Sequence, residues 1–341
     1  MISFENDYNV GACPEILKRL EETNFDKTTG YGGDPYCEAA RAKIRKAVGN
    51  PDADVWFLVG GTQTNMTVIA GMLKLHEGVI AANSGHISLD ESGAIEYTGH
   101  KVIEFPEHDG KLKAVEVEKY LEGFFADPWH EHQVIPGMVY ISWPTEFGTL
   151  YSKAELKELR DLCDKYSLTL FVDGARLGYG LASDAADVTL PELAELCDVF
   201  YIGGTKVGAL FGEAVVFTKG NTPVYFKNII KKHGGLLAKG RLLGIQFDTL
   251  FTDNLYMKIS RHAMEMAYKM REIFLSKGYE MYIDSPTNQQ FFIVTDEQAE
   301  RIGKKVAFSN WAALDDGRKA IRFVASWATN EEDLRVLEET I

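Results

Sequence analysis

The amino-acid sequence predicts an α/β protein, with a mostly parallel seven-stranded sheet in a large domain and a smaller α+β domain at the C-terminal end. Short apolar runs rich in β-branched residues alternate with helical patterns between residues 55 and 217, which is typical of βαβ units. After residue 278 this alternation gives way to strand-like runs of a different character. A chain of 341 residues also exceeds the usual size of a single hydrophobic core.

Seven apolar runs supply the strands of the predicted sheet, a number that suits one sheet. They are VWFLV (55–59), GVIAA (78–82), KVIEF (101–105), MVYIS (138–142), LTLFV (168–172), DVFYI (198–202) and EAVVF (213–217).

Helices are expected where apolar residues recur on one helical stripe. The stretch 152–165 has such a stripe of leucines, and 181–196 has a comparable pattern with a proline near its middle. A longer pattern over 242–277 predicts one connecting helix that leads out of the large domain.

The small domain is expected to contain three strands and a final helix. The strands are YEMYID (279–284), QQFFIVT (289–295) and KAIRFVASW (319–327). Thr329, with Glu332 three positions later, predicts a capping box at the start of the helix.

The composition favours a cytoplasmic protein that acts on small molecules. The net charge of -14 and the pI near 5.1 argue against a nucleic-acid or anionic-membrane partner, because no basic field attracts phosphates. The four cysteines lack C-x-x-C spacing, so we expect reduced thiols. No apolar run is long enough to cross a bilayer, and the first residues do not resemble a secretory leader.

Polar motifs directly follow four of the predicted strands. Ligands bind beyond the carboxyl ends of the strands in an open parallel sheet, so we expect these motifs to form one site. They are GGTQTN (60–65), NSGH (83–86), DGAR (173–176) and GGTK (203–206).

The segment GGTQTN is a candidate phosphate-binding turn. Its two glycines let the backbone approach a ligand, and Thr62 and Gln63 would open a helix whose N–H groups can hold an anion. The segment matches neither a Walker A loop nor a dinucleotide fingerprint. An ordinary strand-to-helix turn that needs glycine is the alternative.

Lys206 lies in an apolar, glycine-rich run with no acidic residue before Glu213. Burial would lower its pKa and make its amine a nucleophile suited to a Schiff base, although a lysine that reaches water is the alternative. Asp173 follows an apolar strand and needs a partner, either a protonated ring nitrogen or Arg176 in a structural salt bridge. A phosphate loop, a buried carboxylate and a desolvated lysine together match the requirements of pyridoxal 5'-phosphate.

Two further side chains complete the predicted site. His86 could stack on a pyridine ring or move a proton, or it could be a structural histidine. Arg322 could bind a substrate carboxylate through two hydrogen bonds, or form an internal ion pair. The HEH triplet at 130–132 has no third ligand at a telling spacing, so no metal site is predicted.

Several motifs, taken in order, resemble those of fold-type I pyridoxal-phosphate enzymes, specifically the threonine aldolase branch of the β-eliminating lyase group. The resemblance covers nearly the whole chain. It is carried by FENDYNVGACPEIL (4–17), GYGGDPYCEAA (30–40), GGTQTN, GHISLDESGAIEYTGHK (85–101), FVDGARLGYG (171–180), YIGGTKVGALFGEA (201–214), KKHGGLLAKGRLLGIQF (231–247) and IRFVASWAT (321–329).

The resemblance implies a fold-type I transferase-like architecture. We expect a large cofactor-binding domain at 21–245, a small domain at 246–341, and an N-terminal arm at 1–20 that associates with the small domain. It also implies a homodimer or homotetramer with shared active sites. In such an assembly Tyr31, grouped with the substrate-binding residues, and Lys239 would serve a neighbouring subunit.

The resemblance also implies catalytic roles at the strand ends. Lys206 would carry pyridoxal 5'-phosphate, Asp173 would pair with its pyridine nitrogen, and His86 would stack on the ring.

The remaining implied roles concern the two anionic groups. The cofactor phosphate would be held by Gly61, Thr62 and Thr205. The carboxylate of an amino acid substrate would be held by Arg176 and Arg322.

The expected reaction is the cleavage of L-threonine or L-allo-threonine into glycine and acetaldehyde. Many members of the family place a second histidine in an N-T-H-N segment, whereas this chain has WPTEFG with Thr145 and Glu146. The base that acts on the substrate hydroxyl is therefore left open between His86, Glu91 and an ordered water. The alternative functions are another pyridoxal-phosphate lyase, an aminotransferase or racemase, a non-catalytic pyridoxal-phosphate binder, and a nucleotide-binding domain.

Overall fold

The computed structural model describes residues 2–341, which form three β-sheets and the helices that pack around them. The strands are β1 (Ile2–Ser3), β2 (Asp54–Leu58), β3 (Glu77–Ala82), β4 (Val102–Phe105), β5 (Ile135–Ser142), β6 (Thr169–Asp173), β7 (Val199–Gly203), β8 (Glu213–Phe217), β9 (Glu280–Ile283), β10 (Gln289–Val294), β11 (Val306–Ala307), β12 (Ser309–Ala313) and β13 (Lys319–Val324).

The helices connect these strands. They are α1 (Pro14–Glu22), α2 (Pro35–Ala47), α3 (Gly61–Met72), α4 (His86–Leu89), α5 (Ala94–Tyr97), α6 (Ala114–Ala126), α7 (Lys153–Tyr166), α8 (Leu177–Ala182), α9 (Leu190–Leu196), α10 (Phe226–Lys232), α11 (Arg241–Leu250), α12 (Leu255–Ser276), α13 (Asp296–Gly303) and α14 (Glu331–Thr340), with a 3-10 turn at His130–His132.

The large sheet has the strand order β2-β8-β7-β6-β5-β3-β4. Strand β8 runs antiparallel to both of its neighbours, and the other pairs are parallel. All seven predicted strands are present within one or a few residues of their expected bounds, so the prediction of a mostly parallel seven-stranded sheet is confirmed.

Both faces of this sheet are buried, which explains why its strands are apolar runs rather than alternating patterns. Val172 and Phe200 pack into the hydrophobic cluster on one face, and Phe171 and Tyr201 pack into the cluster on the other. Successive side chains of a strand point to opposite faces. The polar motifs predicted from the sequence lie at the ends of these strands, whereas Tyr140 and Tyr201 lie within strands.

The second core lies around the four-stranded antiparallel sheet β12-β13-β10-β9. Phe274 of α12 stacks on Phe292 with ring centroids 3.8 Å apart. Phe4 belongs to this core, whereas Ile16 belongs to the core of the large sheet. The first residues of the chain thus contact the small sheet, while α1 contacts the large one; the domain boundaries themselves stay a prediction.

The expectation of one helix over 242–277 is wrong. Helices α11 and α12 are separated at 251–254, where Asp253 and Asn254 have φ values of 50° and 60°. Aspartate and asparagine tolerate this left-handed conformation, which ends a right-handed helix.

Two other helix boundaries differ from expectation. The pattern over 181–196 divides into α8 and α9, because Pro191 occupies the first turn of α9 after the N-cap Thr189. The cap of α14 is Asn330, whose side chain accepts hydrogen bonds from two backbone N–H groups of the first turn. The hydroxyl of Thr329 instead accepts a hydrogen bond from the backbone N–H of Ser326.

Three findings bear on membranes, redox chemistry and metals. No helix within residues 2–341 has the length and apolar character needed to span a bilayer. All four cysteines are free and buried. In the same part of the chain, no group of three histidine, cysteine or acidic side chains is arranged to hold a metal ion.

We predict that Gly174→Ala destabilises the protein by about 3 kcal/mol or more, because overpacking of a rigid site has this cost. A Cβ at Gly174 would lie 1.9 Å from the backbone oxygen of Tyr201 on the neighbouring strand. Urea denaturation would measure the loss. Gly123→Ala is the matched control: a Cβ there meets no atom within 4 Å, and replacing a glycine inside a helix should stabilise the protein by up to about 1 kcal/mol. Equal stabilities of the two variants would contradict the prediction.

Candidate active site

A cavity of about 210 Å³ lies at the carboxyl ends of β5, β6 and β7. Parallel strands bring their carboxyl ends to one edge of the sheet, and the register pairs Ser142 directly with Asp173. The sequence-predicted residues that line the cavity are Gly61, Thr62, His86, Asp173, Arg176, Thr205 and Lys206.

Lys206 lies in the turn that follows β7. The turn is closed by a hydrogen bond of 3.0 Å from the Gly204 N–H to the Gly212 carbonyl. The Lys206 amine lies 5.9 Å from the centre of the Tyr8 ring. Burial and the positive charge of Arg176 lower the pKa of Lys206 below its ordinary value. At a given pH, a larger fraction of the amine is therefore in the neutral, nucleophilic form than for a lysine in water.

Asp173 ends β6 with only 4% of its surface exposed. Its Oδ2 accepts hydrogen bonds from the Tyr140 hydroxyl at 2.6 Å and the Asn65 amide at 3.0 Å. Its Oδ1 accepts one from the Ala175 N–H at 3.0 Å. Burial alone would raise the pKa of Asp173, but the charge of His86 and the Tyr140 hydrogen bond lower it below the ordinary value. The group is therefore held as a carboxylate.

His86 opens α4 and is oriented by Glu91. Its Nδ1 lies 2.8 Å from Glu91 Oε1, and the Asn65 amide donates to the same oxygen at 2.7 Å. Asn65 thus joins two buried carboxylates, those of Glu91 and Asp173. Burial would lower the pKa of His86, but the Glu91 hydrogen bond and the Asp173 charge raise it above the ordinary value.

The N-terminus of α3 lines the cavity through Gly61 and Thr62, which the sequence predicts to hold a phosphate. The N–H groups of Gly61, Thr62 and Gln63 belong to the first turn, where they have no partner within the helix. A Cβ at Gly61 would lie 3.2 Å from the Tyr201 hydroxyl oxygen, so glycine keeps this approach open.

Thr205 is hydrogen-bonded to the buried carboxyl group of Glu213. Its hydroxyl donates to Glu213 Oε1 at 2.7 Å, while the Gly204 N–H donates to Glu213 Oε2 at 3.0 Å. Burial raises the pKa of Glu213 to about 7. The hydrogen of the Thr205 hydroxyl is donated to Glu213. The predicted contact of Thr205 with a phosphate stays a prediction.

Arg176 is held by an acid from the start of the chain. Its Nε and Nη2 donate to the two oxygens of Asp7 at 2.7 and 3.1 Å. Asp7 is fully buried and accepts a further hydrogen bond of 2.9 Å from the Asn288 amide. Burial and the positive charge of Arg176 lower the pKa of Arg322. The two guanidinium groups are therefore close enough to repel each other electrostatically.

Three predicted residues do not line the cavity. Arg322 donates to Gln289 at 3.1 Å, and its guanidinium carbon lies 5.3 Å from the centre of the Trp311 ring. Tyr31 is 46% exposed, and Lys239 is also exposed. The structure therefore brings together most, but not all, of the residues singled out from the sequence.

Four polar residues at the site were not singled out from the sequence. Asp7 lies in the motif FENDYNVGACPEIL and Asn65 in GGTQTN, so their positions within motifs that resemble the family could have identified them. Tyr140 is hidden within an apolar strand. Glu146 lines the cavity from the loop after β5, where the sequence had indicated only the absence of a histidine.

Residues 4–308 match the model of the beta-eliminating lyase family. The chain belongs to the beta-eliminating lyase family. Among its relatives is the low specificity L-threonine aldolase of a Pseudomonas species, which is 27% identical over 99% of this chain and 96% of the relative. The protein of the same name from Pseudomonas aeruginosa is also 27% identical, with the same shares covered.

A solved structure is more similar to this chain than these two relatives are. The threonine aldolase of Leishmania major is 40% identical, with a TM-score of 0.96 over 99% of this chain and 98% of that one. Aspartate aminotransferase of Thermus thermophilus has a TM-score of 0.70 at 17% identity, over 100% of this chain and 90% of that one, which shows a shared fold. The expectation of a fold-type I transferase-like architecture is confirmed.

We predict that Glu213→Gln makes the stability of the protein less dependent on pH. The pKa of Glu213 is raised from 4.5 to about 7, so its contribution to stability is complete below about 4.5 and is lost as the pH rises through 7. The limiting slope for one group is about 1.4 kcal/mol per pH unit. Urea denaturation between about pH 5 and about pH 7 should therefore show a smaller loss of stability in the variant. Glu131→Gln, at an exposed position, is the control and should lose stability with pH as wild type does. The prediction is refuted if the free energy of unfolding of Glu213→Gln falls with pH as steeply as that of wild type and the control.

We also predict that Glu91→Gln lowers the pKa of His86, because the charge that favours the imidazolium is removed while a hydrogen-bond acceptor remains. NMR titration of the His86 ring in the protein without cofactor would measure it. Glu96→Gln, at an exposed position nearby, should leave the titration unchanged. An unchanged His86 pKa in Glu91→Gln would mean that this contact does not control the imidazole.

Proposed function

We propose that the protein cleaves the Cα–Cβ bond of a β-hydroxy amino acid with pyridoxal 5'-phosphate, and that L-threonine or L-allo-threonine yields glycine and acetaldehyde. The observation that carries the proposal is the lysine amine of lowered pKa at the end of β7, in a chain that is 40% identical to a threonine aldolase over nearly its whole length. The enzyme is thus an aldehyde-lyase.

The residues present fit pyridoxal 5'-phosphate. Asp173, held as a carboxylate by three donors, suits a protonated ring nitrogen. The first turn of α3 offers the N–H groups of Gly61 and Thr62 to a phosphate. Lys206 would hold the cofactor covalently, and His86 would lie against its ring. When bound, the cofactor supplies an electron sink for the bond pair left on Cα.

The charges of the chain assist the reaction in two ways. Asp173 stabilises a positive charge on the ring nitrogen, and its hydrogen bonds keep it oriented before the reaction begins. Arg176 presents its remaining Nη1 after Asp7 has taken Nε and Nη2. Arg322 donates to Gln289 and does not line the cavity, so binding of the substrate carboxylate by both arginines would require the Arg322 side chain to turn toward Arg176. The carboxylate end of the substrate would thereby be held in position for the reaction.

The other functions considered for this fold receive less support. An aminotransferase, a racemase or a β-eliminating enzyme would use the same lysine and aspartate, but the two Pseudomonas relatives, which match over nearly their full length, are low specificity L-threonine aldolases. Their products differ, because elimination releases ammonia and a keto acid instead of glycine.

We further propose that the protein is a cytoplasmic homodimer or homotetramer with shared active sites, to which Tyr31 and Lys239 contribute across the interface. Large apolar or aromatic side chains on the surface support a second copy, since Phe25, Val224 and Tyr225 are 91%, 80% and 78% exposed. Light scattering coupled to gel filtration would give the oligomeric state.

We expect Lys206→Ala to lose both the visible absorbance of the bound cofactor and the formation of glycine and acetaldehyde, because the nucleophilic amine is removed. Absorbance spectra before and after addition of L-threonine, with both products assayed in the same sample, provide the test. Lys219→Ala is the matched control, because Lys219 pairs with Asp198 away from the cavity.

Each alternative gives a different result in this assay. A cofactor band with ammonia and a keto acid would indicate β-elimination. A band without turnover would indicate a binding protein. Wild-type protein that shows no band after pyridoxal 5'-phosphate is supplied would refute the proposal.

A further inference from the structure

Glu146 is a carboxylate in the wall of the cavity with one uncommitted oxygen. Its Oε1 accepts hydrogen bonds from the Ser142 hydroxyl at 2.6 Å and from the His86 backbone N–H at 3.0 Å. Its Oε2 is shielded from solvent and has no hydrogen-bond partner. Leaving a buried carboxylate oxygen unpaired costs free energy, so the position calls for a proton or a ligand group that donates to it.

The surroundings of Glu146 favour proton exchange. Burial and the negative charge of Asp173 raise the pKa of Glu146, against the opposing effects of the Ser142 hydrogen bond and the positive charge of His86. A carboxylate of raised pKa takes up a proton more readily than an ordinary one, which suits a general base.

The other acids near the cavity are less well placed to accept a proton from a substrate. Glu91 accepts from the His86 imidazole and from Asn65 through Oε1. Its Oε2 is buried and unpaired like that of Glu146, but Glu91 does not line the cavity. Asp173 accepts from three donors. Glu213 accepts from the turn that carries Lys206.

His86 is also poorly suited to start the reaction as a base. Its Nδ1 contacts Glu91, so only Nε2 could accept a proton. The Glu91 hydrogen bond and the Asp173 charge raise the pKa of His86 against the effect of burial and so favour the protonated ring, which cannot accept one. The hydrogen bond from the His86 backbone to Glu146 nevertheless keeps the two residues side by side.

We propose that Glu146 accepts the proton of the substrate β-hydroxyl as the Cα–Cβ bond breaks, an inference that rests on the proposed function. The O–H bond breaks, its proton passes to Glu146, and its electron pair forms the second bond of the aldehyde carbonyl. The pair of the broken Cα–Cβ bond stays with Cα. One proton then adds to Cα as glycine forms, so the overall reaction consumes no proton, oxidant or reductant.

The test compares Glu146→Gln with wild type. The amide keeps the size of the side chain and an oxygen for Ser142, but it cannot accept the proton. Formation of acetaldehyde from L-threonine should fall by about 10²–10⁴ in kcat, the usual contribution of a general base. Glu104→Gln, at an exposed position on β4, is the control and should keep the wild-type rate.

Two measurements separate a catalytic role from a structural one. Exchange of the glycine Cα hydrogen with heavy water, followed by NMR, involves no β-hydroxyl and should persist within a few-fold of wild type. Calorimetric binding of glycine and the thermal midpoint should be unchanged as well. In Glu146→Ala, which leaves a space beside Ser142, added formate should restore cleavage at least about tenfold.

The outcomes distinguish this inference from the proposed function. Wild-type protein that forms no acetaldehyde overturns both. Wild-type cleavage with an undiminished rate in Glu146→Gln overturns the role of Glu146 alone. Loss of glycine exchange and glycine binding together with cleavage would show that Glu146 only supports the shape of the cavity, which also overturns it.

Discussion

The buried carboxylate of Asp173 is the group on which the arrangement of the cavity depends. It lies at the end of a central strand, and its donors come from the neighbouring strand β5, from α3 and from the turn after β6. Those hydrogen bonds offset the cost of burying a charge. They also hold the first turns of α3, the predicted phosphate-binding segment, and through Asn65 they hold Glu91 and the orientation of His86. One desolvated charge therefore sets the positions of three separate parts of the site.

The charges around Lys206 act in opposition. Arg176 lowers the lysine pKa, whereas Asp7 and Asp173 raise it. Asp7 also neutralises part of Arg176, so the acid from the start of the chain adjusts both a predicted nucleophile and a predicted carboxylate binder. Such balanced clusters of perturbed groups are typical of catalytic sites. Burial raises the pKa of Glu146 and Glu213. The charge of Arg176 lowers the pKa of Asp7, and the charge of His86 lowers that of Asp173, in both cases against the effect of burial.

The central sheet could be predicted from the sequence because strands buried on both faces are recognisable as apolar runs, and parallel topology then brings their ends together. This reasoning placed His86, Asp173 and Lys206 around one cavity. It failed where the contact is remote in sequence or hidden in a strand. Tyr140 reads as one more apolar strand residue, and no local pattern connects Asp7 with Arg176. The break before α12 was missed because left-handed aspartate and asparagine residues leave the apolar periodicity intact.

The hydrogen bond between Asp7 and Asn288 joins residues 281 positions apart. During synthesis, the acid that orients Arg176 emerges among the first residues of the chain, and its amide partner emerges near the end. The large sheet can be complete on the ribosome while Asp7 still lacks the hydrogen bond from Asn288. The order of translation thus leaves the Asp7–Arg176 pair without the Asn288 hydrogen bond until most of the polypeptide has left the exit tunnel.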